Sequence, residues 1–362
     1  MADGMKYAPR AKAVPVVQKG EFKFGVIGLD HGHIVGMTHG LVDAGAEVVA
    51  VYDTNADNLA DFCEEFPGAA VMRSEEELLD RQDIQLVASA AVTSTRGPLG
   101  LRVMDHGKHY FSDKAPFTTT GQLEAARQKV EETGLTWAVC YSERIQNESG
   151  VYAGNLIHEG AIGTVLQVIG FGPHRLNAPT RPDWFFRHET YGGILLDLGS
   201  HQVEQFLYYT GAKDAQVLHS KVANYNHPQY PEMFDFGDAT LVADNGATNY
   251  FRVDWFTPKG LGTWGDGRTF ILGTDGYIEL RKYINVATGP IGDQVYLVDH
   301  NGEQHINVHG EVGFPYFGEL ILDCLAGTEN AMPQAHTFKT AELSLLVQQN
   351  AIRIESSPVP DR

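Results

Sequence analysis

An aspartate and a histidine stand four residues apart in the segment YGGILLDLGSHQVE, at Asp197 and His201. Gly192 and Gly193 precede them and an apolar stripe follows from Val203, so the pattern predicts that both residues lie at a helix start. Residues four apart share one helix face, which brings a carboxylate and an imidazole into one cleft. A histidine that an aspartate orients is a good proton acceptor near neutral pH. The alternative is that Asp197 only caps the helix and His201 is a packed or solvated residue.

Lys114 is the second candidate for chemistry. It follows the run KHYFSD in the segment SDKAP, and the order of apolar runs predicts that it lies at the carboxyl end of a strand. An ammonium group in such a place can stabilise a developing alkoxide and lower the pKa of a hydroxyl that is being oxidised. The alternative is a surface lysine before a turn that Pro116 marks.

The elements that position these residues begin with a strand, FKFGVIG, a loop, a helix from about Ile34 and a second strand, EVVAVYD. A strand, a glycine loop, a helix and a strand that ends in an acid form the dinucleotide-binding unit. Asp53 ends the second strand roughly 20 residues beyond His33, where the acid that binds a ribose hydroxyl is expected. The loop keeps Gly28 but has Asp30 and His33 in place of the second and third glycines of G-x-G-x-x-G. The alternatives are a loop that binds no nucleotide and an Asp53 that caps the following helix.

Strands and helices continue to alternate through LTWAVCY, which completes six strands. This predicts an α/β fold with an N-terminal Rossmann-type, doubly wound parallel sheet over residues 21–145, whose functional edge lies at the carboxyl ends of the strands. Extended runs separated by turns then predict a C-terminal α+β domain with a large open, mostly antiparallel sheet over residues 146–362. Two helices, near 316–325 and 337–355, end the chain, and the last is expected to pack near the first domain. Residues 1–20 lack the apolar core of a signal peptide and are predicted to form a flexible arm.

The composition limits the classes of function. The 362 residues exceed what one core usually sustains, and a formal charge of -19 without a basic cluster excludes nucleic acids and anionic membranes as partners. A small molecule is therefore the expected partner. Cys63, Cys140 and Cys324 form no C-x-x-C pair, which indicates neither a disulfide framework nor a zinc site and suits a reducing compartment. No run approaches the ~20 apolar residues of a membrane span, so we expect a cytoplasmic protein.

From Phe22 to Glu355 the chain resembles the Gfo/Idh/MocA family, which is named for glucose-fructose oxidoreductase, inositol dehydrogenase and a rhizopine catabolism protein. The resemblance rests on the GVIG strand and loop, on Asp53, on HGKHYFSDKAP against the family's G-K-H-V-x-x-E-K-P, on YSER against its aromatic-N-x-R-F, and on GGILLDLGSHQVE against its G-G-G-x-L-x-D-x-G-x-H-x-x-D. It implies that Lys114, Asp197 and His201 are catalytic and that the first domain binds NAD(P). It also implies oligomer contacts through the open sheet and sugars or polyols as substrates.

The chain departs from the family pattern at several positions. Asp30 and His33 replace glycines, Asp113 and Ala115 replace the Glu and Pro beside the lysine, and AVTSTR stands where T-P-N-x-x-H is usual. Because Asp30 places a negative charge near the expected pyrophosphate, we expect it to make no phosphate contact and to turn away or pair with a neighbouring histidine. Asp53 predicts NAD rather than NADP, because a carboxylate binds both ribose hydroxyls and repels a phosphate.

The predicted sites follow from these placements and from the resemblance. The candidates for cofactor binding are Gly28, Asp30, His31, Gly32, His33, Asp53, Thr54, Thr93, Arg96, Asp113, Lys114 and Arg144. The candidates for substrate binding are Lys114, Arg144, His174, Arg175, Trp184, Arg187, His188, Asp197 and His201. No metal is expected, because a site of Asp197, His201 and His188 lacks the spacing of known ligand sets.

The leading hypothesis is an NAD-dependent dehydrogenase that moves a hydride from a secondary alcohol of a sugar, cyclitol or glycoside to nicotinamide. We expect a homo-oligomer, a dimer or tetramer, formed through the C-terminal sheet. Two alternatives remain open. One is an enzyme that recycles its NAD while it cleaves or epimerises a glycoside through a keto sugar. The other is a catalytically silent NAD- or sugar-binding regulator, which the joint presence of Lys114, Asp197 and His201 disfavours.

Overall fold

The computed structural model describes residues 3–355 and divides into two compact units. The N-terminal unit comprises Met5–Cys140 and Gly313–Phe338, and the described part of the C-terminal unit comprises residues 3–4, Tyr141–Val312 and residues 339–355. The boundary after Cys140 lies close to the predicted one, whereas the inclusion of Gly313–Phe338 in the N-terminal unit is visible only in the structure. Among the described residues, no helix is both long and apolar enough to cross a membrane.

A six-stranded sheet forms the core of the N-terminal unit. Its strands are β1 (Lys23–Ile27), β2 (Glu47–Tyr52), β3 (Ala70–Val71), β4 (Leu86–Ser89), β5 (His109–Asp113) and β6 (Trp137–Cys140). They lie in the order β3-β2-β1-β4-β5-β6 and all pair in parallel, which confirms the predicted doubly wound sheet. The connecting helices are α1 (His33–Asp43), α2 (Ala56–Glu65), α3 (Glu75–Leu79), α4 (Thr93–Asp105) and α5 (Thr120–Thr133).

Side-chain caps fix the starts of three of these helices. Asn55, Ser74 and Thr119 accept hydrogen bonds from first-turn N–H groups of α2, α3 and α5. Helix α4 begins at Thr93, so the polar residues 93–96 after β4 form the first turn of a helix.

A nine-stranded sheet forms the core of the C-terminal unit. Its strands are β7 (Val165–Pro173), β8 (Ala215–Ala223), β9 (Phe236–Ala243), β10 (Thr248–Asp254), β11 (Arg268–Gly273), β12 (Gly276–Arg281), β13 (Gln294–Asp299), β14 (Gly302–Asn307) and β15 (Ile352–Ile354). They lie in the order β14-β13-β12-β11-β7-β10-β9-β8-β15. Among the described strands of this nine-stranded sheet, only β7 with β10 and β8 with β15 pair in parallel, which confirms a mostly antiparallel sheet.

Helices cover one face of this sheet. The α-helices after β6 are α6 (Ser142–Ile145), α7 (Glu148–His158), α8 (His188–Tyr191), α9 (Ile194–Asp197), α10 (Gly199–Thr210), α11 (Pro315–Ala326) and α12 (Gln334–Gln349). Of these, α11 belongs to the N-terminal unit. Helix α10 packs on β7, and Phe206 and Phe251 are fully buried in the core. Strand β11 shows the two faces: Ile271 is buried, while Phe270 and Leu272 are exposed. The sheet therefore presents an apolar face that the described helices do not cover.

Two predictions about the ends of the chain differ from the structure. The last helix was expected over residues 337–355, but α12 ends at Gln349, and Ile352–Ile354 instead pairs with β8 as an edge strand. Within the predicted arm, Met5 is buried and Arg10 forms an ion pair with Asp43 at 3.0 Å. At least part of the arm is therefore packed within the N-terminal unit.

Candidate active site

Asp197 and His201 lie on either side of a break between two helices. Gly192 and Gly193 adopt φ angles of 88° and 107°, which end α8 and lead into α9. Helix α9 ends at Asp197 and α10 begins at Gly199, so His201 lies in the first turn of α10. Both side chains are buried, with 8% and 2% of their surface exposed. The sequence predicts one helix start, whereas the structure has two short helical segments that bring both residues into the interior.

Asp197 does not cap α10. The N-cap position is Leu198, and no side-chain hydrogen bond is found there in the part of the chain that the structure describes. Asp197 Oδ2 instead accepts a hydrogen bond from the hydroxyl of Tyr191 at 3.1 Å. Burial, and then the charge of Asp197, raises the pKa of Tyr191 well above its usual value, so this hydroxyl stays a donor. The capping interpretation is therefore wrong, and Asp197 is a buried acceptor with its own donor.

Three residues around this pair were missed by the sequence analysis: Tyr141, Arg181 and Tyr191. The ring of Tyr141 meets that of His201 edge-on, with centroids 6.5 Å apart. Arg181 is buried, and its charge interacts with that of Asp197. These residues occur in the segments LTWAVCY, RPDWFF and YGG. Residue type alone did not mark them as members of a functional site, because tyrosines and arginines also anchor ordinary loops.

Arg144, predicted to bind both cofactor and substrate, lies in a buried ion pair of the C-terminal unit. Its guanidinium is 2.5 Å from Glu204 and 3.7 Å above the ring of Tyr208. Although burial opposes it, the carboxylate of Glu204 raises the pKa of Arg144. A second buried ion pair joins Lys282 to Glu143 at 3.2 Å, and burial lowers the pKa of Lys282. These contacts explain Arg144 as a structural residue, and its role toward a ligand stays a prediction.

The substrate candidates of the 174–188 segment differ in their surroundings. His174 is buried, with its ring centroid 5.5 Å from Trp255 and 4.4 Å from Trp264. Arg175 donates to the carbonyl of Leu261 at 2.7 Å and so anchors this segment. The remaining candidates are partly buried or exposed: Trp184 is partly buried, and Arg187 and His188 are exposed. Of these five candidates, only Trp184, Arg187 and His188 therefore expose a sizeable part of their side chains to solvent.

The loop after β1 fits the ribose end of a dinucleotide. Gly28 has a φ angle of 81°, and a Cβ there would lie 2.6 Å from the Cβ of Ala91, so only glycine fits. Asp53 accepts hydrogen bonds from the N–H groups of Leu29 at 2.5 Å and Asn55 at 2.7 Å. Because a carboxylate has about four lone-pair sites, it can still accept from ribose hydroxyls. Helix α2 is capped by Asn55, so the interpretation of Asp53 as its cap is wrong.

The pyrophosphate side of this loop is built differently from a glycine-rich loop. His31 Nδ1 accepts a hydrogen bond from the N–H of His33 at 3.3 Å, at the start of α1. His33 Nδ1 lies 3.1 Å from Asp113 Oδ1. Although burial raises it, His33 and Arg96 lower the pKa of Asp113 to about 2, so it is a carboxylate. Two buried imidazoles and a buried carboxylate thus occupy this side of the loop.

This cluster also has the donor types of a metal site. Ligand atoms of His31, His33 and Asp113 all lie within 4.8 Å of one another. The guanidinium of Arg96, however, is 3.2 Å from Asp113 Oδ2. A second cation beside this buried arginine is electrostatically unfavourable, so the cluster is better described as a hydrogen-bonded ion pair.

Lys114 follows β5 directly and is only 3% exposed, so it is not the surface lysine of the alternative interpretation. Arg96 fixes the backbone at this point, because its guanidinium donates to the carbonyls of Lys114 and Ala115. Its Nε also donates to the carbonyl of Ala91 at 2.8 Å. Arg96, predicted to bind cofactor, therefore joins the ends of β4 and β5 and sets the place from which the Lys114 side chain extends.

Asp30 has a structural partner. Its Oδ2 accepts a hydrogen bond from the N–H of Val92 at 3.1 Å, which ties the loop after β1 to the start of α4. Burial, and then the charge of Asp53, raises the pKa of Asp30. Of the neighbouring candidates, Thr93 is buried and Thr54 is exposed. That Asp30 makes no phosphate contact stays a prediction, and the Val92 contact supplies a reason for a carboxylate at this position.

The fold and these residues define a class of protein: oxidoreductases with an NAD-binding Rossmann domain. Residues 22–141 match the model of the oxidoreductase family with the NAD-binding Rossmann fold, and residues 151–279 match the GFO/IDH/MocA C-terminal domain. The chain belongs to the Gfo/Idh/MocA family, as its motifs predicted.

Several known proteins are similar to this chain. The structure of a putative oxidoreductase from Erwinia carotovora atroseptica SCRI1043 shares 49% identity and a TM-score of 0.90, over 92% of this chain and 100% of that one. The scyllo-inositol 2-dehydrogenase (NAD(+)) of Bacillus subtilis (strain 168) is 28% identical over 208 residues, 56% of each chain. The NADP(+)-dependent scyllo-inositol 2-dehydrogenase of the same organism is 26% identical over 188 residues, 51% of each chain. The chain thus spans little more than half the length of these curated relatives.

Proposed function

We propose that the protein is an NAD-dependent dehydrogenase that oxidises a secondary alcohol of a sugar, cyclitol or glycoside. The observation that carries the proposal is a pair of buried residues four positions apart in an oxidoreductase family: Asp197, which accepts a hydrogen bond from the Tyr191 hydroxyl, and His201. The two scyllo-inositol 2-dehydrogenases among the relatives favour a cyclic polyol as substrate.

Each residue has a distinct role in the proposed reaction. His201 accepts the proton of the substrate hydroxyl, and Asp197 orients the imidazole and stabilises its charged form. Lys114 stabilises the negative charge that develops on the substrate oxygen. Bound NAD supplies the acceptor for the hydride that leaves the same carbon, so the products are a ketone, the reduced cofactor and one proton.

NAD is proposed in preference to NADP. The carboxylate of Asp53 can accept hydrogen bonds from ribose hydroxyls, but it repels a phosphate on the same sugar. Thr54 and Asn55, which follow it, offer no cation to offset that repulsion. The two Bacillus relatives are named for different cofactors, so this preference rests on Asp53 alone.

We also propose that the chain forms a dimer or tetramer through the exposed face of the C-terminal sheet. Leu166, Leu272 and Tyr277 are each 45% exposed on its strands, and contiguous exposed apolar surface is typical of interfaces. Light scattering after size exclusion should show an oligomer that Leu272→Glu weakens. Leu322→Glu, at a similarly exposed leucine of α11, is the matched control and should not change the mass. A monomeric wild-type chain would refute the proposal.

The test of the reaction is a panel of sugars, inositols and glycosides, assayed with NAD for both reduced cofactor and product. Reduced cofactor that accumulates in proportion to ketone supports the dehydrogenase. Product without reduced cofactor instead supports the NAD-recycling enzyme, and binding without any turnover supports the silent regulator. His201→Ala serves as the inactive variant, and His300→Ala, whose side chain is 82% exposed, as the matched control.

A further inference from the structure

Arg181 is a buried cation for which the proposed reaction has no role. Only 8% of its surface is exposed, and its Nε donates to the carbonyl of Leu176 at 3.0 Å. The guanidinium carbon lies 4.6 Å from the ring centre of Phe185 and 4.9 Å from that of Trp255. Contact with aromatic faces returns part of the free energy that a cation loses when it leaves water. The remainder calls for anions close by.

The charged and titratable groups around Arg181 come from separate parts of the C-terminal unit. Burial lowers the pKa of Arg181, and the charges of Asp3, Asp197 and Tyr191 act in the opposite direction. His174 contacts the indole of Trp255, one of the two rings that Arg181 meets. Arginine remains protonated throughout the physiological range. Arg181 is thus a permanent positive charge that interacts with two carboxylates, one of which belongs to the proposed acid–base pair.

The second carboxylate comes from the first residue that the structure describes. Asp3 Oδ2 accepts hydrogen bonds from Asn177 Nδ2 at 2.8 Å and Thr180 Oγ1 at 2.7 Å. The next residue, Gly4, lies against the ring of His174, since a Cβ there would be 3.1 Å from its Cδ2 atom. The N-terminal segment is therefore fastened to the same stretch of chain that carries Arg181, directly before it.

Aromatic packing joins Arg181 to the donor of Asp197. The ring of Phe185, under the guanidinium, lies 4.5 Å from the ring of Tyr191, centroid to centroid. The hydroxyl of Tyr191 in turn donates to Asp197. The position of the cation, the tyrosine and the carboxylate is thus set by one packed group of side chains.

We propose that Arg181 is a positioning residue of the acid–base site, whose charge keeps Asp197 a carboxylate beside His201, and that Asp3 is its counter-charge. The assignment rests on the proposed function of Asp197 and His201. It follows that the two charges act on His201 with opposite signs. Loss of the cation makes proton uptake by the Asp197–His201 pair easier, whereas loss of the Asp3 charge makes it harder. If either residue had only a structural role, its loss would not shift proton uptake by the pair in these opposite directions.

The experiment is an NMR titration of the chain with ring-labelled histidine, in which His201→Ala identifies the His201 signal. In Arg181→Met the titration midpoint of His201 should rise by about one pH unit, the effect of one nearby charge. Arg181→Lys, which keeps the charge, should stay closer to wild type. Asp3→Asn, which keeps the shape and the acceptor oxygen, should lower the midpoint by a smaller amount. Arg10→Ala removes a cation paired with Asp43 and is the control without a shift.

Each outcome decides the assignment. Opposite shifts in Arg181→Met and Asp3→Asn support it, and an unchanged midpoint or shifts of the same sign overturn it. If Arg181→Met does not fold, Asp3→Asn decides alone: a downward shift supports the assignment and no shift overturns it. Turnover of scyllo-inositol by His201→Ala separates this inference from the proposed function. An active His201→Ala refutes the function, whereas an inactive one with no shifts refutes only the role of Arg181.

Discussion

His201→Ala should lower turnover by about 10²- to 10⁴-fold, the usual contribution of a general base. The upper part of this span is expected from the structure, because His201 is 2% exposed and bulk water does not easily take its place. Substrate affinity should change less, because the lost interaction matters mainly in the transition state. Lys114→Ala should fall in the same range, and the double variant should lose much less than the product of the two single losses. The reason is that the variant that keeps His201 but lacks Lys114 should be little more active than the double variant, because the base needs a stabilised alkoxide to complete the reaction.

The pH dependence has a definite sign. Oxidation needs a neutral imidazole as proton acceptor, so turnover should decline as the pH drops and His201 becomes protonated. The carboxylate of Asp197 favours the charged ring and moves this decline to higher pH. The midpoint therefore belongs to the coupled group rather than to one residue.

The assay is turnover of His201→Ala, Lys114→Ala and the double variant across a pH series with the best substrate of the panel. His300→Ala is the matched histidine control, because its side chain is 82% exposed, and it should behave as wild type. Near-full activity of His201→Ala with an unchanged acidic limb would falsify the mechanism. His201 would then be a packed helix residue without a part in the chemistry.

Three further predictions concern the N-terminal unit. Calorimetry should show tighter binding of NAD than of NADP, and Asp53→Ala should reduce the difference; equal binding by the wild type would contradict the ribose role of Asp53. Asp30→Asn should bind NAD as well as or better than wild type, because it removes a negative charge and keeps an acceptor for Val92. Asp30→Gly should show the same gain in affinity, but its free energy of unfolding should fall by about 1 kcal/mol because the hydrogen bond to Val92 is lost. A large loss of NAD affinity in either variant would show that Asp30 binds the cofactor directly. Asp113→Asn should cost about 2 kcal/mol in denaturant unfolding at neutral pH, because the pKa of Asp113 is lowered to about 2 in the folded chain. The stabilisation by the Asp113 charge is present above the pKa of the unfolded chain and is lost as the pH falls from about 4 to about 2. If wild type and Asp113→Asn still differed in unfolding free energy at pH 2, the ion pair with Arg96 would not be the cause.

The sequence identified the fold because its signals are local. Apolar runs of strand length alternate with helical periods up to Cys140 and then give way to consecutive strands, and this order alone fixes the fold class. The positions of Lys114, Asp197 and His201 were also visible, since each stands at a fixed offset within a short motif. The starts of α2, α3 and α5 depend on local signals as well, because their capping residues are neighbours in the chain. The end of α12 differs from the prediction, because Ile352–Ile354 pairs with β8 as a strand and no local pattern encodes that pairing.

The partners of the site residues were decided only by the tertiary structure. The sequence offered Asp197 as a helix cap or as an acid–base residue, and the structure gives its carboxylate a donor, the hydroxyl of Tyr191, which precedes two positive-φ glycines in the chain. His33 meets Asp113 across 80 positions, and Asp3 meets Thr180 across 177. Residues so far apart become neighbours only when strand ends and loops converge, and burial then makes each contact matter by removing water as the competing partner. Residue types and spacing therefore specified which groups are present for chemistry, while the packing of distant segments determined the charges and donors that surround them.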